Sequence, residues 1–197
     1  MLLRSYKTIF VTIGLIGVIL LASPTIALLI KVPSGQQFSG IYILGSDHTL
    51  GNVPFNVKQG VSYIIYLGVN NNLGSAGYYS CNLKLLNESE SFSAPNSGQP
   101  SSIPPLCEYK LFLDDGATWE APLVFKVNTL SFDSNSADIS SVNINGIDYQ
   151  MNATSTWDSN KTGFYYSLVV ELWLFNATEG ISQYNDRFVS LFLNMTQ

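Results

Sequence analysis

Ionisable side chains are scarce in this chain of 197 residues: only 12% are Asp, Glu, Lys or Arg, about half the usual share. There is one histidine, His48, and two cysteines, Cys81 and Cys107. Basic residues are rarest where a polyanion would need them, since the part after Lys31 holds all fourteen acidic residues against six basic ones, a net charge of −8. That balance excludes nucleic acid and anionic surfaces as partners. Neither cysteine belongs to a CxxC motif or lies near His48, so no metal site is expected. No phosphate-binding glycine loop follows a strand, which leaves no cofactor to expect. A Ser-His-acid set would have to use His48, which sits in a turn beside Asp47, and there is no G-x-S-x-G elbow. Asp114, Asp115 and Glu120 are the nearest thing to paired glycosidase carboxylates, but adjacent acids before a glycine usually make a solvated turn. No catalytic residue is assigned, and the chain reads as non-enzymatic.

What the sequence does have, at its beginning, is an apolar run. Ile9 to Ile30 reads IFVTIGLIGVILLASPTIALLI without a charge, long enough as a helix of roughly 33 Å to cross a hydrocarbon core. Arg4 and Lys7 precede it and Lys31 closes it. The charge bias predicts a cytoplasmic N-terminus and an extracytoplasmic remainder. The competing reading is a cleaved signal peptide, which small residues at Ala22, Ser23 and Ala27 would suit; a cleaved apolar region is usually shorter. The expected organisation is a cytoplasmic stub and transmembrane anchor over residues 1–31, then one domain over 32–197 in the cell membrane's outer space.

That domain reads as strands. Phe38 to Leu44 is β-branched and aromatic, and Val53 to Val57 suits an edge because Pro54 cannot donate to a ladder. Val61 to Asn70 is apolar on both faces, as a central strand is. Asn70-Asn71-Asn72 with Gly74 marks a connection. Tyr78 to Leu86 alternates, with Tyr79, Cys81, Leu83 and Leu85 on one face. Asn87 to Leu106, which holds four of the eight prolines, is a loop. Cys107 to Leu113 and Trp119 to Leu130 follow as strands, separated by the Asp114-Asp115-Gly116 turn. Residues 131–162 are polar, yet Asn145-Gly146 between alternating apolar residues is a strong hairpin signal. Gly163 to Phe175 reads as a second central strand. Tyr184 to Asp186 reads as a turn into a last strand carrying Val189, Leu191, Leu193 and Met195. Nine or so strands without an amphipathic helix predict an all-β antiparallel sandwich.

Cys81 and Cys107 both point inward from strands that flank the long loop. Outside the cytoplasm they are expected as a disulfide closing about 27 residues, worth roughly 3–4 kcal/mol; two buried free thiols are the alternative. Five Asn-x-Ser/Thr sequons, at Asn87, Asn152, Asn160, Asn176 and Asn194, lie on the outer side as candidates for N-glycosylation. Glu171 is the one acid in an apolar strand, with Lys126 or Arg187 as candidate partners if it is buried. Tyr78, Trp157, Tyr165 and Tyr184 are candidates for an exposed aromatic surface, although core packing is the usual fate of such residues.

The segments FSGIYILG, the G-x-x-x-x-I-I-Y-L-G-V-x-N stretch from Gly60 to Asn72, YYSCNLKLLN, WEAPLVF from Trp119 to Phe125, and the closing YSLVVELWLFN with RFVSLFLN resemble an uncharacterised archaeal membrane-protein family, the domain-of-unknown-function family sixteen-sixteen. The resemblance implies a membrane-tethered extracytoplasmic sandwich, immunoglobulin-like, with no assigned activity. The chain departs from that family where Asn70-Asn71-Asn72 replaces a frequent Asn-His-Glu, and residues 131–162 do not align. The expected function is a single-pass surface protein whose sandwich mediates protein interactions, as an accessory subunit of a membrane complex or an envelope scaffold. Alternatives are a pilin-like filament subunit, which would need processing near Lys7-Thr8, and a domain that binds or modifies envelope glycans.

Overall fold

The computed structural model describes residues 6–7, 10–18, 37–87, 90 and 98–197. The chain divides into two compact units, Met1–Gln37 and Phe38–Gln197. In the first, residues 10–18 are helical and expose Phe10, Val11, Ile13, Leu15 and Val18. Among the described residues no helix is long and apolar enough to cross a membrane. Most of the expected anchor, residues 19–30 included, lies outside the described residues.

The described residues of the second unit form ten strands: β1 (Phe38–Leu44), β2 (Asn56–Lys58), β3 (Ser62–Asn72), β4 (Gly77–Asn87), β5 (Cys107–Leu113), β6 (Thr118–Phe132), β7 (Ser136–Ile144), β8 (Ile147–Thr156), β9 (Phe164–Asn176) and β10 (Ile181–Thr196). They form two five-stranded sheets, the first ordered β1-β3-β6-β7-β8 and the second β2-β10-β9-β4-β5. The all-β sandwich expected from alternation is therefore present. Its pairing is antiparallel with one exception, β2 running parallel to β10 through Asn56↔Asn194 and Val57↔Met195. The core lies between the sheets. Ile65, Leu67, Val69, Leu123, Phe125 and Val127 come from the first, and Tyr79, Leu83, Tyr166, Leu168, Val170 and Leu172 from the second.

Local chemistry explains the turns. Asn145 and Gly146 both have positive φ, 50° and 87°, as a two-residue turn matched to strand twist requires. They join β7 to β8, so the polar stretch 131–162 is two paired strands of the first sheet. Pro122 stands inside β6 without breaking it. β7 reaches along β6 only as far as Phe125↔Ile144, so the missing N–H of Pro122 costs no ladder bond on that side.

Three expectations are corrected. Tyr184–Asp186 is no turn: β10 continues through it with a bulge between Tyr184 and Arg187, where two extra residues are taken up. The turn is earlier, closed by Gly180 N–H donating to Asn176 O at 2.8 Å. Asn70–Asn72 is no connection either, since β3 runs through Asn72. Fully buried Asn71 donates from Nδ2 to the carbonyls of Ser75, Leu113 and Asp114 at 2.8, 3.0 and 3.2 Å. Its Oδ1 accepts from Leu73 N–H and from the Tyr79 hydroxyl at 2.9 Å, and Tyr79 in turn meets Ser39 at 2.8 Å. An asparagine run that looks like a loop is thus the polar knot joining both sheets at one end.

The third correction concerns the cysteines, which are both free thiols. Their inward direction is as expected, with Cys81 buried and Cys107 half-buried. Register keeps them apart: Cys81 lies opposite Tyr109 and Cys107 opposite Leu83. They are diagonal neighbours, a relation with Cα atoms about 7–8 Å apart, beyond the usual disulfide span. Burial pushes the Cys81 thiol up to about 12, and burial also raises Cys107. Each is therefore a protonated, weakly nucleophilic thiol at neutral pH. We expect maleimide at pH 7.5 to leave Cys81 unlabelled in the folded chain and to label both cysteines after unfolding without reductant. A requirement for reductant, read by intact mass, would restore the disulfide.

Candidate functional site

The long loop before β5 decides what the second sheet presents. On the outer face of that sheet, Lys84 of β4 and Glu171 of β9 form an ion pair with Nζ–Oε2 at 2.8 Å, each side chain only 3% exposed. They are diagonal in register, Lys84 opposite Val169 and Glu171 opposite Asn82. An outward-facing pair is buried because the loop backbone closes over it. Lys84 Nζ donates to Ser101 O at 2.8 Å and Ser101 N–H donates to Glu171 Oε1 at 2.7 Å. Trp173 Nε1–H adds a longer bond to Oε2 at 3.4 Å. Both charges thus have hydrogen-bonded company, the condition for tolerating them away from water. Two further ties fix the loop, Gly98 N–H to Asp186 Oδ1 in the β10 bulge and Leu106 N–H to Leu83 O. The partner of Glu171 is therefore Lys84 and neither Lys126 nor Arg187. The available signal was a lone lysine and a lone glutamate, each at the middle of an otherwise uncharged strand.

The pinned loop builds one wall of a cleft of about 380 Å³ on the side of the sandwich where β8 ends the first sheet. Ile103, Pro104, Pro105 and Leu106 form that wall, and Tyr149, Met151 and Ala153 of β8 face it, with Leu85 between them. Leu85 and Ala153 also belong to the core, so the cleft reaches to the core's edge. β8 pairs with β7 on its other side. Among the described residues no strand takes its outer edge, the position at which a further strand can add, although the Ala153 carbonyl of β8 already accepts from the Tyr166 hydroxyl. Two prolines opposite offer no N–H in competition. Nearby, Asn145 Nδ2 donates to Tyr109 OH at 3.0 Å, bracing the hairpin against β5.

Of the candidate catalytic residues, the structure brings His48 and Glu120 together and leaves Asp47 and Asp115 in separate contacts. His48, at φ 59°, stacks on Tyr66 with ring centroids 3.8 Å apart and meets Glu120 Oε1 through Nδ1 at 2.7 Å. Tyr42 OH donates to Glu120 Oε2 at 3.1 Å. Tyr42, Gly68 and Glu120 share one row across β1, β3 and β6, and any side chain on Gly68 would run into the Tyr42 ring. Burial, with the Glu120 carboxylate beside it, raises the Tyr42 phenol. Among the described residues no serine or cysteine bonds to this cluster. Asp47 is occupied with Thr49, and Asp115 accepts from Gly74 N–H at 2.8 Å in the turns at the opposite end. Among the described residues no three His, Cys, Asp or Glu side chains meet as a metal ion would need.

The sequons differ in what their amides do. Asn152, on β8 at the cleft, and Asn160, in the connection to β9, are exposed. Asn176 is engaged at its turn, accepting from Thr178 and Glu179 N–H and donating to Gln183. Asn87 accepts from Glu90 N–H. Asn194 is packed: Nδ2 donates to Asn56 Oδ1 at 3.0 Å, while its own Oδ1 is buried against Gly163 without a partner. Of the four aromatics considered for an exposed surface, Tyr78 and Trp157 are exposed, Tyr184 is half-buried and Tyr165 is buried.

No protein-family model matches the chain, and no curated protein matches it. Among solved structures it is similar to a β-glucosidase from Listeria innocua. In the gluconolactone complex the TM-score is 0.39 with 8% identity over 83% of this chain and 17% of that one. In the isofagomine complex the values are 0.37, 8%, 81% and 16%. The chain spans under a fifth of those enzymes' length, and a likeness this low carries no argument about activity.

The clamp is testable by a double-mutant cycle. Lys84→Met leaves a buried carboxylate without its cation, and urea unfolding should show a loss of about 3–5 kcal/mol. Adding Glu171→Leu should recover at least about 2 kcal/mol of it. Equal losses in the single and double variants would remove the ion pair from the account.

Proposed function

We propose that the chain is a non-enzymatic, single-pass cell-surface protein whose sandwich binds an extended segment of a protein partner along β8. In this reading the N-terminus is cytoplasmic, residues 9–30 span the membrane, and residues 32–197 are an immunoglobulin-like domain outside it. It serves as an accessory subunit of a membrane complex or as an envelope scaffold; the resemblance to the archaeal family implies the tethered sandwich and assigns it no activity. The observation that carries the interaction is the edge of β8, which no strand takes among the described residues, beside a cleft that reaches the core. An added strand would gain main-chain bonds to β8, and its alternate side chains would meet the apolar wall residues of a cleft that Glu90, Gln150 and Asn152 also line. The partner segment is accordingly extended, with apolar residues two apart. The anchor is supported by the uncharged run and by the exposed apolar helix over residues 10–18, a surface that lipid would bury. Sequons Asn152 and Asn160 suit glycosylation on this topology, and a glycan at Asn152 would compete with the partner for the edge.

A photo-crosslinking residue placed at Gln150 in intact cells should capture one predominant protein, and Met151→Glu should reduce that capture at least tenfold. Crosslinks from Gln150 that yield no protein, or capture that Met151→Glu leaves unchanged, would contradict strand addition at this edge.

A further inference from the structure

The end of the sandwich at which β1 begins carries an aromatic row that neither the cleft nor the His48 cluster uses. Pairings Phe38↔Asn72, Asn70↔Thr118, Gly77↔Leu113 and Ile181↔Asn176 gather the start of β1, the β3–β4 turn, the β5–β6 turn and the β9–β10 turn at this end. On the outer face of the second sheet there, Phe112 of β5 lies opposite Tyr78 of β4, and the Tyr78 ring meets Phe175 of β9 edge-on at 6.3 Å. Phe112 is 65% exposed and Tyr78 and Phe175 are each 40% exposed. Phe38 and Ile181, at the same end, are exposed as well. Adjacent aromatics on three neighbouring strands make a continuous apolar surface with one hydroxyl, whereas singly scattered exposed hydrophobics need no explanation.

We propose that this aromatic end lies in the interfacial region of the bilayer that holds the N-terminal run. The inference rests on the anchor reading above. Only seven residues, 31–37, separate the apolar run from Phe38, and seven residues reach at most about 25 Å when extended. Phe, Tyr and Ile bury their rings and chains at the headgroup level, and a tyrosine hydroxyl suits the wet side of that boundary. Charge selects the lipid. Asp114, Asp115 and Glu179 occupy the turns of this end, and no Lys or Arg stands in those turns, so a zwitterionic interface fits and an anionic one is repelled. The tied amide of Asn176 agrees with a position that carries no glycan.

The test uses the full chain in phosphatidylcholine nanodiscs containing a shallow spin-labelled lipid, with Trp119, Trp157 and Trp173 replaced by Phe and a single tryptophan introduced as Phe112→Trp or, separately, Tyr78→Trp. A third chain keeps Trp157 alone, at the opposite end. Fluorescence of the tryptophan at 112 or 78 should fall at least twofold on adding spin label, while that of Trp157 changes by less than a tenth. Discs that contain the chain but leave positions 112 and 78 as unquenched as Trp157 would overturn the contact and spare the anchor. The same holds if position 112 is shielded by a captured protein in place of lipid. A chain recovered outside the discs would overturn both readings.

Discussion

Two opposite charges on the outside of a sheet would ordinarily be a solvated pair of little consequence. At Lys84 and Glu171 the backbone of Ser101 bonds to both, and water is shut out. The loop that does this contains four prolines, and its described residues hold no strand, so their place on the sheet comes from these bonds and the ties at Gly98 and Leu106. Once it is held, Leu86 and Val169 are buried on what would otherwise be an exposed face. Ile103 to Leu106 then stand as the second wall of the cleft. Without the clamp β8 would have an open edge but nothing opposite it.

A charge pair in this role specifies more than it stabilises, since apolar residues of similar size can often replace such pairs at no loss. What apolar residues would not do is recognise the Ser101 peptide at one register, through its carbonyl on lysine and its N–H on glutamate. The same division of labour appears at the other end, where Asn71 collects three carbonyls, an amide and the Tyr79 hydroxyl. Hydrophobic burial holds the sheets together, and two buried polar centres fix which loop lies where.

How much of this was legible in the sequence follows from range. Alternation is local, so β4, β5, β6, β9 and most of β10 could be read directly, and Asn145-Gly146 announced its hairpin. Asn71 was misread because three asparagines look like a turn, and only the distant Leu113 and Asp114 carbonyls make it a core residue. The bulge at Asn185-Asp186 was misread for a related reason: two polar residues can leave a ladder as well as end it. Facing direction placed both cysteines correctly, yet a disulfide needs register as well, and register is set by pairings across the chain. The parallel pairing of β2 with β10 spans almost 140 positions and left no local trace. The candidate site was the least legible part, because a cleft between an edge strand and a loop belongs to neither segment alone.

The Ser101 amide tests the clamp most directly. Hydrogen exchange of the wild-type chain, resolved to that amide, should find it protected to the same degree as Val170 and Leu172 in β9, since its N–H is held by a buried carboxylate. Exchange within seconds, as for an exposed loop, would contradict the account, and the cleft would lose its wall.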